Sequence, residues 1–166
     1  MHKDAFEVSG TNASRTAYAL RAWLVAVVPS LLYFFALVSI GADSLRPPAG
    51  VLDATFAGYS ILAAPLLETA LMFPLASLLA LIIPRQPRVQ IVLLAMVCAL
   101  AHLFGGGWRQ VIASFWPFLI YSLTLTTWLK RSGRDAFILT ALVHALYNAT
   151  FFSVGVVGNL LAVPGG

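Results

Sequence analysis

Charged residues are scarce in this chain. They make up 10% of its 166 residues, and 60% of the residues are hydrophobic, whereas a soluble domain usually carries about 25% charged residues. This composition excludes an ordinary water-soluble domain and predicts one integral membrane domain spanning residues 1–166. The formal net charge of +4 is modest and does not indicate a nucleic-acid partner. Cysteine is also nearly absent: Cys98 stands alone, which excludes an internal disulfide.

The sequence also lacks features that would divide it or mark it for processing. It has no evident internal repeat, and none of its polar stretches is long enough to link two domains. Its first apolar run is too long for the apolar core of a cleavable signal peptide. Residues 1–16 are mostly polar, and we expect them to form a cytoplasmic tail.

Five apolar runs are long enough, or nearly so, to cross a membrane as helices, which takes about 20 residues each. The sequence therefore predicts an all-α polytopic membrane bundle of about five transmembrane helices. The runs cover roughly 18–41, 56–83, 89–105, 109–129 and 136–161.

Glycine and tryptophan give further expectations about the ends of these runs. The triplet Gly105 to Gly107 predicts a tight connection between the third and fourth spans. Trp108, Trp116 and Trp128 lie near predicted span ends, where membrane proteins carry belts of aromatic side chains.

The basic residues predict the orientation of the bundle. Eight of the ten lie in the N-terminal segment and in the connections after the second and fourth spans; the other two are Arg46 and Arg109, on the opposite side. Because cytoplasmic segments carry an excess of Lys and Arg, we expect a cytoplasmic N-terminus and an external C-terminus.

Four polar side chains interrupt the apolar spans. Glu68, His102 and His144 are ionisable groups, which are costly at membrane depth and usually face the bundle interior or a water-filled cavity. Asn148 follows His144 by four residues, so both lie on the same face of a helix. Counted from the nearest cytoplasmic basic residue, all four fall within a depth band of about 10 Å. This agreement among three spans predicts one shared site, nearer the external face.

The chemistry of these groups leaves several functions open. A carboxylate can accept a proton from water, imidazoles can orient that water, and a carboxamide can donate to an oxyanion. Two histidines and a glutamate can also ligate zinc, and two histidines on separate spans can bind haem. A proton or ion pathway is a further alternative, and each polar residue taken alone can be purely structural. Pro65 and Pro74 on either side of Glu68 favour a distorted helix there.

Three stretches resemble the motifs of a known family. APLLETALMFP, CALAHLFGGGW and ALVHALYNATFF are similar, in this order, to the three motifs of the CAAX prenyl protease and bacteriocin-processing (CPBP, or ABI) family of intramembrane proteases. The resemblance covers residues 61–155, which would form the catalytic core. It implies a glutamic-type mechanism in which Glu68 and His102 activate water, while His144 and Asn148 stabilise the oxyanion.

The chain departs from the family motifs at three positions. Thr69 stands where the family has a second glutamate, Phe73 where it has an arginine, and Cys98 where it has a phenylalanine. These departures keep a second reading open, in which a relative of the family acts as a non-enzymatic scaffold or immunity protein.

The resemblance also implies a partner and a location. The expected substrate is a membrane-anchored protein or peptide, cut near one end of its hydrophobic segment, in a bacterial inner membrane. A C-terminal sorting tail would suit this small chain. No cofactor is expected, with zinc kept as the lesser alternative.

Overall fold

The computed structural model describes residues 12–39 and 54–161, and every regular element in these two ranges is a helix. Five helices among the described residues are long and apolar enough to cross a membrane. This confirms the predicted all-α membrane bundle. The helices are α1 (Asn12–Ser39), α2 (Ala54–Gly58), α3 (Ala64–Ile82), α4 (Pro87–Ala101), α5 (Leu103–Leu129) and α6 (Gly133–Leu161).

The second span contains a change of helix type. A π-helical turn, Tyr59–Ala63, joins α2 to α3, so that Thr55–Ile82 forms one rod. Both residues that flank this turn have right-handed helical backbone angles, so the rod continues through it. The distortion expected around Glu68 therefore lies just before Pro65.

Prolines set the turn between α3 and α4. The residue before a proline is pushed out of the helical conformation. Ile83 precedes Pro84 and has φ −128° and ψ 57°, while Gln86 precedes Pro87 and has φ −128° and ψ 66°. Pro87 then occupies the first turn of α4, where its missing N–H costs nothing.

Two further connections among the described residues depend on single residues. Gly107, within α5, has φ 66° and ψ −167°, a non-helical conformation that kinks this helix. The kink lies at the predicted glycine connection, where the third span ends at Gly105 and the fourth begins at Gly107. Ser132 accepts a hydrogen bond through Oγ from the Asp135 backbone N–H at 3.2 Å, which caps the start of α6.

An ion pair joins the first and last helices at one end of the bundle. Arg15 on α1 pairs with Asp135 on α6 at 2.8 Å, so the first turns of these two helices meet at the same end of the bundle. Five successive spans require this arrangement. α1 begins at Asn12, so the last residues of the predicted 1–16 tail are helical, and residues 1–11 lie outside the described ranges. The structure leaves the direction of the bundle across the membrane as a prediction.

α5 lies at the centre of the described bundle. It packs against α1, α3, α4 and α6. Within its most apolar window 56% of the residues are buried, against 17% to 28% in the other spans. Small side chains let neighbouring helices approach closely; those that are buried include Ala19, Ala26, Ala76, Ala95, Ala99 and Ala136.

The three tryptophans expected near span ends differ in their surroundings. Trp108 is exposed, but Trp128 is buried and makes an edge contact with the ring of Tyr18. Trp116 donates from Nε1 to the Val25 carbonyl at 2.9 Å and so joins α5 to α1. Trp108 and Trp116 are exposed and Trp128 is packed inside the bundle, and the aromatic belt stays a prediction.

Candidate functional site

Glu68 and His144 form the closest contact between polar side chains of different spans in the predicted site. Glu68 Oε2 on α3 lies 3.7 Å from His144 Nε2 on α6. His144 is buried and Glu68 is half-buried. Neither Glu68 Oε2 nor His144 Nδ1 has a hydrogen-bond partner among the described residues. The structure thus brings together two of the four residues that depth alone had placed at one level.

His102 occupies the break between α4 and α5. It has φ −77° and ψ −5°, and its Nδ1 lies 3.1 Å from the Cys98 carbonyl oxygen. A carbonyl can only accept a hydrogen bond, so Nδ1 carries the proton in this contact. In the neutral ring this leaves Nε2 with a free lone pair, able to accept a proton or hold a water molecule.

Phe118 connects the two histidines. Its ring centroid lies 5.2 Å from that of His102 and 5.8 Å from that of His144, with edge-on geometry in both contacts. His102 also interacts electrostatically with both Glu68 and His144. His102 therefore belongs to the same site, although no direct hydrogen bond joins it to either group in the described part of the chain.

Tyr121 and Tyr147 complete an aromatic surround for His144. The Tyr121 ring stacks on the His144 imidazole, and the Tyr147 ring lies edge-on to Tyr121 at 6.1 Å. The sequence did not predict that Phe118, Tyr121 and Tyr147 would lie around His144. The spacing of Phe118, Tyr121 and Leu125 marks the buried face of α5, but a buried face does not reveal which side chain it meets.

Asn148 donates a hydrogen bond to the backbone of the second span. Its Nδ2 donates to the Ser60 carbonyl at 2.8 Å, in the π-helical turn that precedes α3. Asn148 is half-buried. One of its two amide hydrogens is therefore engaged with backbone, and the other remains for further donation.

The positions that depart from the family motifs are accommodated by packing. Thr69 is fully buried, and its hydroxyl has no partner among the described residues. The Phe73 ring is partly buried against the core and lies 3.4 Å from where a Cβ on Gly133 would stand. Phe73 thus presents a packed apolar ring at the position where the similar motif has an arginine.

The described residues contain no group of three or more His, Cys, Asp or Glu side chains arranged to hold a metal ion. Glu68, His102 and His144 lie near one another but do not converge as a ligand set. We derive no step through a metal from this arrangement.

No protein family, no curated protein and no solved structure shows a significant match to this chain. The resemblance to the CPBP family therefore stands on the three motif stretches alone.

Chemically, the site offers a carboxylate beside an imidazole within a mostly apolar bundle. Such a carboxylate can accept a proton from a water molecule and later return it to a leaving group. The free nitrogen of His102 and the second amide hydrogen of Asn148 add one acceptor and one donor near the same level.

Proposed function

We propose that this protein is an intramembrane endopeptidase that hydrolyses a peptide bond in a membrane-anchored protein or peptide. The observation that carries the proposal is the approach of the Glu68 carboxylate to the His144 imidazole at 3.7 Å, between two membrane-spanning helices. The order and spacing of the three CPBP-like motifs supply the reaction class.

In the proposed reaction Glu68 acts as the general base. It removes a proton from water, and the water oxygen attacks the carbonyl carbon of the substrate. His102 orients that water through Nε2, the nitrogen left free by its contact with Cys98. His144 and the remaining N–H of Asn148 donate to the oxyanion. Glu68 then gives the proton to the departing amine as the C–N bond breaks.

The proposed substrate follows from the position of this site. The depth of the polar band places it nearer the side that we expect to be external. The substrate would then be a C-terminal or similar tail, cut close to the outer end of a transmembrane segment in a bacterial inner membrane.

The experiment compares the termini of membrane proteins by mass spectrometry in cells that express the wild type or Glu68→Gln. We expect at least one membrane-protein terminus to disappear or fall by about 100-fold or more in Glu68→Gln, since a positioned base usually contributes 10²–10⁴-fold. Asp135→Asn is the matched control, because it makes the same chemical change at the ion pair with Arg15. Identical termini in wild type and Glu68→Gln would contradict the proposal.

One observation favours a second function, that of a non-enzymatic scaffold or immunity protein. Thr69 and Phe73 stand at the positions of the family's second glutamate and its arginine, and both are packed into the protein. On this alternative, Glu68→Gln, His102→Ala and His144→Ala leave the cellular phenotype intact. Loss of the phenotype in these variants, with unchanged protein levels, excludes the alternative.

A further inference from the structure

The π-helical turn in the second span ends beside a proline. In a π-helix each backbone N–H donates to the carbonyl five residues earlier, and Ala64 N–H donates to the Tyr59 carbonyl in this way. The next donor in the same pattern would be residue 65, which would serve the Ser60 carbonyl. Residue 65 is proline and has no N–H. The pattern therefore leaves the Ser60 carbonyl without its backbone donor.

Asn148 supplies a donor to that carbonyl. Its side-chain Nδ2 lies 2.8 Å from Ser60 O, a normal hydrogen-bond length. Ser60 and Asn148 are 88 residues apart in the chain, so this bond joins the second span to the fifth. In a membrane protein a carbonyl without a partner is expensive, because lipid offers no donor.

We infer that Asn148 is a positioning residue that fixes the helical register of the second span and, through it, the direction of Glu68. An α-helical register would remove the turn, and residue 65 would then face the Ile61 carbonyl four residues back. Proline removes one backbone donor in either register, the donor to Ser60 in the π form or to Ile61 in the α form. In the π form the return to α-helical spacing leaves one further carbonyl of the turn without a backbone donor. The Asn148 bond satisfies the Ser60 carbonyl of the π form.

The register matters because Glu68 follows Pro65 by only three residues. Changing between the π and α forms shifts one segment by a residue, which is a rotation of about 100° around the helix axis. Asn148 and His144 lie on the same face of α6, one turn apart. That face thus holds the second span at two points, the Ser60 carbonyl and the Glu68 carboxylate. This inference concerns the fold of the site and holds whether or not Glu68 activates water.

A double-mutant cycle of thermal unfolding in detergent micelles tests the inference. Asn148→Leu removes the donor, and Pro65→Ala restores a backbone N–H at residue 65. We expect Asn148→Leu to lower the Tm in the wild-type background, and to lose about half or more of that effect in the Pro65→Ala background, because groups that share a partner are not additive. Equal Tm losses in the two backgrounds would overturn the inference.

The control for the cycle is Thr150→Val. Thr150 lies on the same helix and accepts a hydrogen bond from Trp23 at 3.2 Å, which joins α6 to α1 and not to the Ser60 carbonyl. Its Tm effect should be the same in both backgrounds. If Asn148→Leu alone fails to fold, the double variant should recover folded protein, and failure to recover it would overturn the inference as well.

A second measurement reads the Ser60 carbonyl directly. Labelling with ¹³C-carbonyl serine and ¹⁵N-isoleucine gives NMR signals from two peptide bonds, Ser60–Ile61 and Ser39–Ile40, and Ser39→Ala assigns them. Loss of a hydrogen bond moves a carbonyl carbon upfield. We expect Asn148→Leu to move the Ser60 signal upfield and leave the Ser39 signal in place. A Ser60 signal that does not move would contradict the inference even if peptidase activity is found.

Discussion

The ring of Tyr121 stacks on the imidazole of His144, with centroids 4.4 Å apart and an angle of 23° between the planes. Tyr121 is among the largest fully buried side chains, and its hydroxyl has no hydrogen-bond partner among the described residues. The aromatic face, rather than the hydroxyl, is thus the part of Tyr121 that contacts the site. The stacking fixes the plane of the imidazole whose Nε2 faces Glu68.

This stacking predicts that two substitutions of Tyr121 differ strongly in their effect on stability. Tyr121→Phe keeps the stacked ring and should change the free energy of unfolding by less than about 1 kcal/mol. Tyr121→Leu removes the ring and should cost about 2–4 kcal/mol, the usual range for a cavity in a packed core. Thermal unfolding in micelles measures both. NMR shifts of the His144 ring provide the control, since they should change in the leucine variant only.

Substitutions of Thr69 test whether the packing around this residue has room for the glutamate of the similar motif. Thr69→Val should change stability by less than about 1 kcal/mol, because the hydroxyl it removes has no hydrogen-bond partner in the described part of the chain. Thr69→Glu, which introduces the glutamate of the similar motif, should destabilise the protein by more than about 2 kcal/mol, because a fully buried site must then hold a carboxyl group. Unfolding in denaturant measures the pair. A glutamate variant as stable as the wild type would mean that the site has room for the family's second carboxylate.

Gly107 predicts a difference between neighbouring glycines. Gly107→Ala should cost about 1–3 kcal/mol, since its backbone conformation is open almost exclusively to glycine. Gly105→Ala is the matched control, because an added Cβ there meets nothing within 4 Å and its φ is not positive. It should change stability by less than about 1 kcal/mol. Equal effects of the two substitutions on the Tm would contradict the break at Gly107.

The ion pair of Arg15 and Asp135 should contribute little. Arg15 is exposed and Asp135 is half-buried, and such pairs typically contribute about 0.2–1 kcal/mol. We expect a double-mutant cycle of Arg15→Gln and Asp135→Asn to give a coupling in this range that decreases as salt is added. A coupling above about 2 kcal/mol, unchanged by salt, would show that the pair is shielded from water.

The predicted orientation can be checked with reporter fusions in a bacterial host. A fluorescent protein inserted at Ser132 should fluoresce, because we expect that connection to be cytoplasmic. Alkaline phosphatase fused after residue 166 should be active, because we expect the C-terminus to be external. Insertion at Gln86 provides a second cytoplasmic position. Reversed signals at all three positions would overturn the orientation while leaving the bundle intact.

The sequence was sufficient for the number of spans and for most of their limits. Span length is set by bilayer thickness, and helix ends are set locally by residues such as Pro84, Pro87 and Gly107. These signals act over a few residues, and single-sequence reasoning can read them. The predicted and observed limits of the spans accordingly agree to within three residues.

The contacts inside the site could not be read in the same way. Depth along a helix follows from counting residues, but rotation around its axis depends on the packing of neighbouring helices. For this reason the sequence placed Glu68 and His144 at a shared level without pairing them, and gave Asn148 no link to Ser60. In the π turn the backbone hydrogen bonds span five residues instead of four. Residues after the turn therefore face a different direction from the one predicted by a continuous α-helix of 3.6 residues per turn.

The central position of α5 has a consequence for how the protein is made. This helix carries the buried polar side chains Ser114, Ser122 and Thr124. Only His102 separates it from α4, against which it packs. Left alone among lipids, α5 would expose these hydroxyls to hydrocarbon. We therefore expect the insertion machinery to deliver α4 and α5 together as a hairpin during translation, before α6 emerges from the ribosome.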